Sequence, residues 1–273
     1  MKMLCDLHTH STTSDGQYTP SELVSLARQA GIEVLALTDH DTLDGLSEAI
    51  QAGNAAGLRV ISGVELSARE YDTFHILGYA FRQDAQALQR LCWYMRQRRE
   101  ERNPRLLAFL HRRGVDLSLE EVRSFSGGTV LGRPHFAQAM VRRGYVKSSN
   151  EAFYCYLDTA EYHQEVERDK PSAQECVEAI HASGGKAVLA HPYQIGLENS
   201  ALEELVSALA AGCGLDGIEC FYPRHTPEQV AFYLGLAEKY RLHATGGSDF
   251  HGEMVKPDIS LTPWRIDVDW LSG

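Results

Sequence analysis

Short apolar runs and longer amphipathic stretches alternate through the first and last thirds of the chain, and the alternation lapses between them. Residues 3–7 have the length and character of a short buried strand. Thr19-Pro20-Ser21-Glu22 then carries a helix start, with Thr19 at the N-cap, Pro20 at the first helical position and Glu22 placed to close a capping box. Leu23, Leu26, Ala27 and Ala30 give that helix one apolar stripe, and Gly31 ends it. The rhythm continues with a strand at 33–38, a helix at 43–56 stopped by Gly57, a strand at 59–64 and another at 74–79. It resumes after Pro171 as a helix at 172–183, a strand at 186–190, a helix at about 201–211 and a strand at 217–221. A helix opened by Pro227 and a strand at about 242–245 complete it. Strands and helices alternating at this spacing predict an α/β fold of parallel strands joined by crossover helices.

Between Asp84 and Arg168 no strand run occurs. Leu88, Leu91, Cys92 and Met95 recur at helical spacing, and shorter helices are predicted around 119–125, 134–143 and 150–157. The pattern divides the chain into an α/β part at 1–84, a helical insertion subdomain at 85–168 and a second α/β part at 169–273. Within the insertion, Gly132-Arg133-Pro134-His135 sets Pro134 at the first position of a helix. Its open N-terminus would face an anion, with Arg133 and His135 on either side.

A chain of 273 residues can bury a substantial core. No apolar run approaches the roughly 20 residues that span a bilayer, and no secretory signal opens the sequence, so a cytoplasmic enzyme without membrane association is expected. The six cysteines are scattered, with no Cys-X-X-Cys pair, which argues against a zinc ribbon or a disulfide framework. The net charge of -11 argues against binding nucleic acid simply through its backbone, but it conceals an asymmetry. Residues 90–147 hold 13 Lys and Arg against 5 Asp and Glu, a balance of +8; the rest hold 13 against 32, a balance of -19. An acidic part suits a container for cations, and a basic part suits either a wall facing an anionic substrate or an ordinary solvated helix face.

The chemistry gathers where predicted strands end. His8 and His10 share one side of an extended segment and can take hold of one ion together. Asp15, on the following Ser/Thr-rich loop, can return an oxygen ligand to the same place. His40 follows the second strand, Glu65 the third, and His191 the strand at 186–190; His75 lies in the fourth; Asp249 and His251 form another same-side pair after the last. In parallel sheets and barrels, loops leaving the carboxyl ends of strands converge on one face. Nine imidazole and carboxylate groups exceed the needs of one ion, so two or three divalent metals are expected, manganese first, with zinc or iron also suited.

Asp6-Leu7-His8-Thr9-His10-Ser11, Thr38-Asp39-His40-Asp41, Glu65, Leu189-Ala190-His191-Pro192 and Gly247-Ser248-Asp249-Phe250-His251 resemble the motifs of the PHP family, the polymerase and histidinol phosphatase superfamily. The resemblance implies a distorted seven-stranded (β/α) barrel and a trinuclear metal site. His8, His10, Glu65 and Asp249 would hold one ion. Glu65 would bridge to a second held by His75 and His191, and Asp15, His40 and His251 would hold the third. Gly132-Arg133-Pro134-His135 and Tyr222-Pro223-Arg224-His225-Thr226-Pro227 resemble a branch containing nucleoside 3',5'-bisphosphate phosphatases and enzymes that trim RNA from its 5' end. The chain departs from that branch at 159–166, where Thr-Ala-Glu-Tyr-His-Gln-Glu-Val replaces a Gly-Lys-Pro-Ala-Tyr-Val-like stretch and its lysine.

The expected activity is hydrolysis of the 3'-phosphate of a nucleoside 3',5'-bisphosphate by a water activated between metal ions. Glu65, His191 and Asp249 are the residues expected at the reaction, with His191 a candidate proton donor to the leaving group. Arg133, His135, Arg224 and His225 are the expected substrate contacts, and a nucleotide is the expected partner, with no stable protein partner evident. The alternatives are exonucleolysis of short RNA oligonucleotides, histidinol phosphate hydrolysis, a metal-dependent amidohydrolase reaction and a non-catalytic metal-bearing module.

Overall fold

The computed structural model describes residues 2–128 and 130–271. Strand β1 (Lys2–Thr9) is followed by α1 (Pro20–Gln29), β2 (Val34–Leu37), α2 (Leu46–Ala56) and β3 (Arg59–Ser67). The capping box at Thr19 and Glu22 is formed as the residue order predicts, and Gly57 ends α2 with a left-handed φ of 65°. Strand β4 (His75–Tyr79) leads into the helical stretch, with α3 (Gln86–Arg112), α4 (Leu119–Arg123), α5 (Arg133–Arg142), α6 (Ser149–Ala152) and α7 (Ala160–Glu165). The chain continues as α8 (Ala173–Ala182), β5 (Lys186–Leu189), α9 (Asn199–Gly212), β6 (Gly217–Phe221), α10 (Pro227–Tyr240), β7 (His243–Gly246) and β8 (Trp264–Asp267).

Among the described residues the strands form one sheet in the order β7-β6-β5-β4-β3-β2-β1-β8. It curls into a nearly closed barrel. After β7 the chain runs beside the end of β1, where Asp249 N donates to His8 O at 2.7 Å and His10 N to Phe250 O at 2.9 Å. Gly247 permits this approach, since a Cβ there would lie 2.2 Å from the Cβ of His8. The distorted (β/α) barrel expected from the sequence is therefore present, with two differences. Strand β8, a short apolar-polar alternation, pairs antiparallel with β1 and makes an eighth strand where seven were expected. Strand β4 runs antiparallel to both β3 and β5, because a short loop and no crossover helix joins it to β3.

Apolar side chains occupy two layers around the sheet. Cys5, Val34, Ala36, Ile61, Leu77 and Val188 belong to the inner layer, and Leu35, Leu37, Val64, Ile76 and Ile218 pack outward with α1, α2, α8 and α9. The helical stretch has its own apolar cluster of Leu106, Phe109, Phe136, Met140, Leu157 and Tyr162, whereas Leu88, Cys92 and Met95 at the start of α3 pack on the outer barrel layer. No described helix is long and apolar enough to cross a membrane.

Candidate metal centre

The histidine pair at the end of β1 is aimed by an irregularity in that strand. Cys5 pairs with Val34, both in the inner layer, and strict alternation from there would carry His8 and His10 to the outer side. The register shifts between Asp6 and Thr9, so that Thr9 pairs with Leu37 of the outer layer and the two imidazoles turn inward. Their ring centroids are 5.3 Å apart. His75 reaches the same rim because β4 is reversed: its first residue pairs with Ser67 at the far end of β3.

Glu65 is the hub. Its Oε2 lies 3.2 Å from His8 Nε2, 3.1 Å from His10 Nε2 and 3.1 Å from His40 Nδ1. Its Oε1 lies 2.7 Å from His75 Nδ1 and 2.9 Å from His191 Nε2. Asp249 Oδ1 stands 3.3 Å from His10 Nε2 and 3.7 Å from His8 Nε2. Asp15 stands 3.3 Å from His251 Nε2 and 3.9 Å from His40 Nε2. The structure thus brings all nine expected ligands together. Among the described residues four groupings can each hold an ion: His8-His10-Glu65-Asp249, His10-Asp15-His40-His251, His40-Glu65-His75 and, apart from the nine, Asp72-His163-Glu167. His191 joins none of these, but its Nε2 lies within 3.2 Å of His75 Nδ1 and Glu65 Oε1.

The donor set fits metal ions on its own chemistry. His8 Nε2, both ring nitrogens of His10, His40 Nδ1 and Glu65 Oε2 are buried without a hydrogen-bond partner. Burial of unpartnered polar atoms costs about 1–3 kcal/mol each, so such convergence is unfavourable without a cation. The electrostatics agree. Burial opposes ionisation of Glu65, yet His40, His75 and His8 hold its carboxyl well below the usual range. Burial likewise opposes ionisation of Asp15, and His40 and His251 hold it well down. Burial alone would lower His10, but Asp249 and Glu65 raise it to about 9. The carboxylates draw positive charge toward His8 and His10, whereas burial holds His40, at about 3, and His75 and His251 below the ordinary imidazole value, as suits neutral ligands.

Backbone strain gathers at the same rim. His191 and Asp249 have φ of 21° and 57°, conformations that non-glycine residues adopt at a cost of order 1–3 kcal/mol. Several residues holding the rim were given no role from the sequence, although Asp39 and Tyr222 stand within the motifs that carry the resemblance. Glu219, on β6, accepts from His191 N at 2.7 Å and stands 3.1 Å from His8 Nδ1. Asp39 accepts from Ser11 N at 2.8 Å and Ser14 Oγ at 2.6 Å. Tyr222 Oη donates to Asp249 Oδ2 at 3.0 Å, and Lys256 Nζ lies 2.6 Å from the same oxygen. The available signal was an acid inside an otherwise apolar run, as at Glu219 in Gly-Ile-Glu-Cys-Phe.

A cavity of about 280 Å³ opens beside the cluster, lined at one end by Asp15, His40, His75 and His251. Arg99, Arg102, Arg133, Arg168, Lys170, Arg224 and Lys256 supply positive charge around it. Two of the four expected substrate contacts, Arg133 and Arg224, are on this wall, where they also pair with Asp72 at 2.9 Å and Asp258 at 2.7 Å. The other two are not. His135 turns back on its own helix and accepts from Gly132 N at 3.0 Å, and His225 packs among Tyr193, Tyr222 and Tyr233 and donates to Cys220 O at 2.9 Å. Helix α5 starts at Arg133, one residue before the expected position, and Gly132, Arg133 and Pro134 face the cavity. In the stretch that lacks the branch lysine, Tyr162 lines the wall and takes a hydrogen bond from Arg102 Nη1 at 3.0 Å.

A nearly closed α/β barrel whose rim gathers imidazole and carboxylate side chains into groupings able to hold metal ions is the arrangement of a metal-dependent hydrolase. The chain belongs to the PHP domain family, whose model matches residues 6–183. It is 36% identical to the phosphoribosyl 1,2-cyclic phosphate 1,2-diphosphodiesterase of Eggerthella lenta, over 92% of this chain and 95% of that one. It is 34% identical to a 5'-3' exoribonuclease of Haemophilus influenzae, over 90% and 89% of the two chains. It is also 34% identical to a 3',5'-nucleoside bisphosphate phosphatase of Chromobacterium violaceum, over 90% and 86%. Among solved structures, a protein assigned as a metal-dependent phosphoesterase from Bifidobacterium adolescentis superposes with a TM-score of 0.83 at 30% identity, covering 98% of this chain and 93% of that one. One described as an amidohydrolase from Chromobacterium violaceum, with bound sulfate and no metal, gives 0.85 at 32%, covering 95% and 92%.

Proposed function

We propose that the protein removes the 3'-phosphate from a nucleoside 3',5'-bisphosphate, giving inorganic phosphate and the nucleoside 5'-monophosphate. One observation carries this reading: the metal-ligating cluster and a wall of Arg and Lys side chains line one cavity, so a substrate held by one phosphate at the cluster meets a second site for an anion. Two or three divalent ions, manganese the expected one, would be held by His8, His10, Glu65 and Asp249, by Glu65, His75 and His191, and by Asp15, His40 and His251. Bound there, they would supply charge neutralisation at the scissile phosphoryl group and a water acidic enough to attack at neutral pH.

The side chains of the wall bind and orient the rest of the substrate. Arg168 is buried and its Nη1 has no hydrogen-bond partner, which leaves a donor for an anion in the cavity it lines. Arg133, Arg224 and Lys170 add charged donors, and the guanidinium forks match phosphate oxygens in pairs. His191, whose Nε2 lies 2.9 Å from Glu65 Oε1, would serve at the centre as a ligand. Incubation of the manganese-loaded protein with adenosine 3',5'-bisphosphate should release inorganic phosphate and AMP; absence of turnover would sink the proposal.

A second reading is 5'-to-3' exonucleolysis of short RNA, favoured by the equal identity to the Haemophilus exoribonuclease. It predicts mononucleotide and no free phosphate from a 5'-phosphorylated oligonucleotide. The identity to the Eggerthella enzyme adds a phosphoribosyl cyclic phosphate to the same panel, and the amidohydrolase-described structure adds amides and cyclic ureas.

A further inference from the structure

We infer that Glu219 is a positioning residue that couples two ligands of the metal centre, holding the ring of His8 and the backbone of His191 with one carboxylate. The inference rests on the reading of the nine-residue cluster as a metal centre.

Glu219 is fully buried on β6, between Ile218 and Cys220, which both face the outer apolar layer. Its side chain therefore points inward. Both of its oxygens are engaged by the cluster: Oε1 lies 3.1 Å and Oε2 3.3 Å from His8 Nδ1, and Oε2 accepts the His191 N–H at 2.7 Å. An ionised carboxylate accepts hydrogen bonds and donates none. With a metal bound, Nδ1 of His8 would carry the proton toward this carboxylate and Nε2 would present its lone pair to the centre, where it is buried and 3.2 Å from Glu65 Oε2. The backbone bond does a different task. His191 sits at φ 21° two residues past the end of β5, and the bond to its N–H holds that unfavourable turn. Its Nε2 is thereby kept 2.9 Å from Glu65 Oε1. One side chain thus sets the tautomer of a ligand in one metal position and the backbone of a ligand in another. Carboxylates behind ligating histidines typically contribute about 10–100-fold to metal affinity.

Glu219→Gln tests this while keeping volume. The amide retains one acceptor oxygen and sets an NH2 against His8 Nδ1 or the His191 N–H, so either the bond to His191 is lost or His8 keeps only the longer 3.3 Å contact. The metal-free variant should remain folded by circular dichroism and bind manganese about 10–100-fold more weakly in equilibrium titration. The metal concentration for half-maximal activity should rise while KM at saturating metal changes little. In zinc-loaded wild type labelled with 15N-histidine, His8 should show metal on Nε2 and a proton on Nδ1. Unchanged manganese affinity in Glu219→Gln, or a proton on Nε2 of His8 in the wild type, would overturn the inference. A lowered melting temperature with unaltered affinity per folded molecule would do the same, since it marks a structural role alone. If the wild type binds no manganese or zinc, the metal centre itself falls and the role of Glu219 with it; wild-type binding with no effect of the variant removes only the latter.

Discussion

Asp41 shows how a side chain next to a ligand can serve the frame and not the centre. It is buried at φ 55°, and its Oδ2 takes Arg99 Nε at 3.0 Å and Arg168 Nη2 at 2.8 Å. Burial opposes its ionisation, but the two guanidinium groups bring its pKa down to about 2, while burial and Arg99 push Arg168 down to about 9. Removing the shared anion leaves two buried cations unpaired, and breaking such a network costs about 3–5 kcal/mol. Asp41→Asn should therefore lower the unfolding free energy by that amount, read as a lower urea midpoint at unchanged slope. His163 offers a pH-dependent case. Burial would lower its pKa, but Glu167 at 2.7 Å and Asp158 at 2.9 Å raise it above 6.5. A raised folded pKa means that its contribution is complete below 6.5 and fades as pH rises through the folded value. The melting temperature of His163→Gln should fall furthest short of wild type below pH 6.5, and the gap should narrow at higher pH.

The barrel seam and the helical stretch respond differently to substitution. At the seam, a Cβ on Gly247 would lie 2.2 Å from the Cβ and 2.5 Å from the N of His8. Gly247→Ala must push β1 away from the segment leading to Asp249, at a cost of about 1–3 kcal/mol or more. It should also lower bound metal per folded protein, measured by elemental analysis, because His8 and Asp249 sit on the two sides of that contact. In the helical stretch, Phe109 is fully buried within the separate apolar cluster. Phe109→Ala should cost about 3–5 kcal/mol. Loss of hydrogen-exchange protection should be greatest in α5, α7 and the second half of α3, with the barrel strands little affected.

Across the whole molecule, the excess of basic residues between 90 and 147 divides between the two uses open to it. Arg99, Arg102 and Arg133 line the cavity, while Arg98, Arg112 and Arg143 pair at the surface with Glu101, Glu165 and Glu121. Lys170, Arg224 and Lys256 reach the same cavity from outside that stretch. If this wall holds a second phosphate, Lys170→Gln or Arg224→Gln should raise KM for adenosine 3',5'-bisphosphate by about 10–100-fold, the equivalent of one charged hydrogen bond of about 1.5–3 kcal/mol. Hydrolysis of a simple phosphate monoester should change little. Added salt should raise the bisphosphate KM more steeply in the wild type than in either variant.

Residue order by itself determined the parts of this protein that depend on short windows. The capping box at Thr19, the stop at Gly57, the apolar strands and the helical middle follow from periodicity and turn chemistry within a few residues. The nine candidate ligands that gather at the rim were legible for the same reason, since each stands at or beside a strand end that local pattern marks. Only the tertiary structure decided how those pieces face one another. The inward turn of His8 and His10 depends on pairing between β1 and β2, and the place of His75 depends on the reversal of β4. Glu219 meets His8, and Lys170 and Arg224 meet Arg133 in one cavity, across long separations in sequence. His135 and His225 look equivalent to Arg133 and Arg224 in the sequence, yet they turn to a helix start and an aromatic cluster. Periodicity carries information over one turn or one strand, whereas register, side-chain direction and the shape of a cavity arise from contacts between distant segments, and those are settled only when the barrel closes.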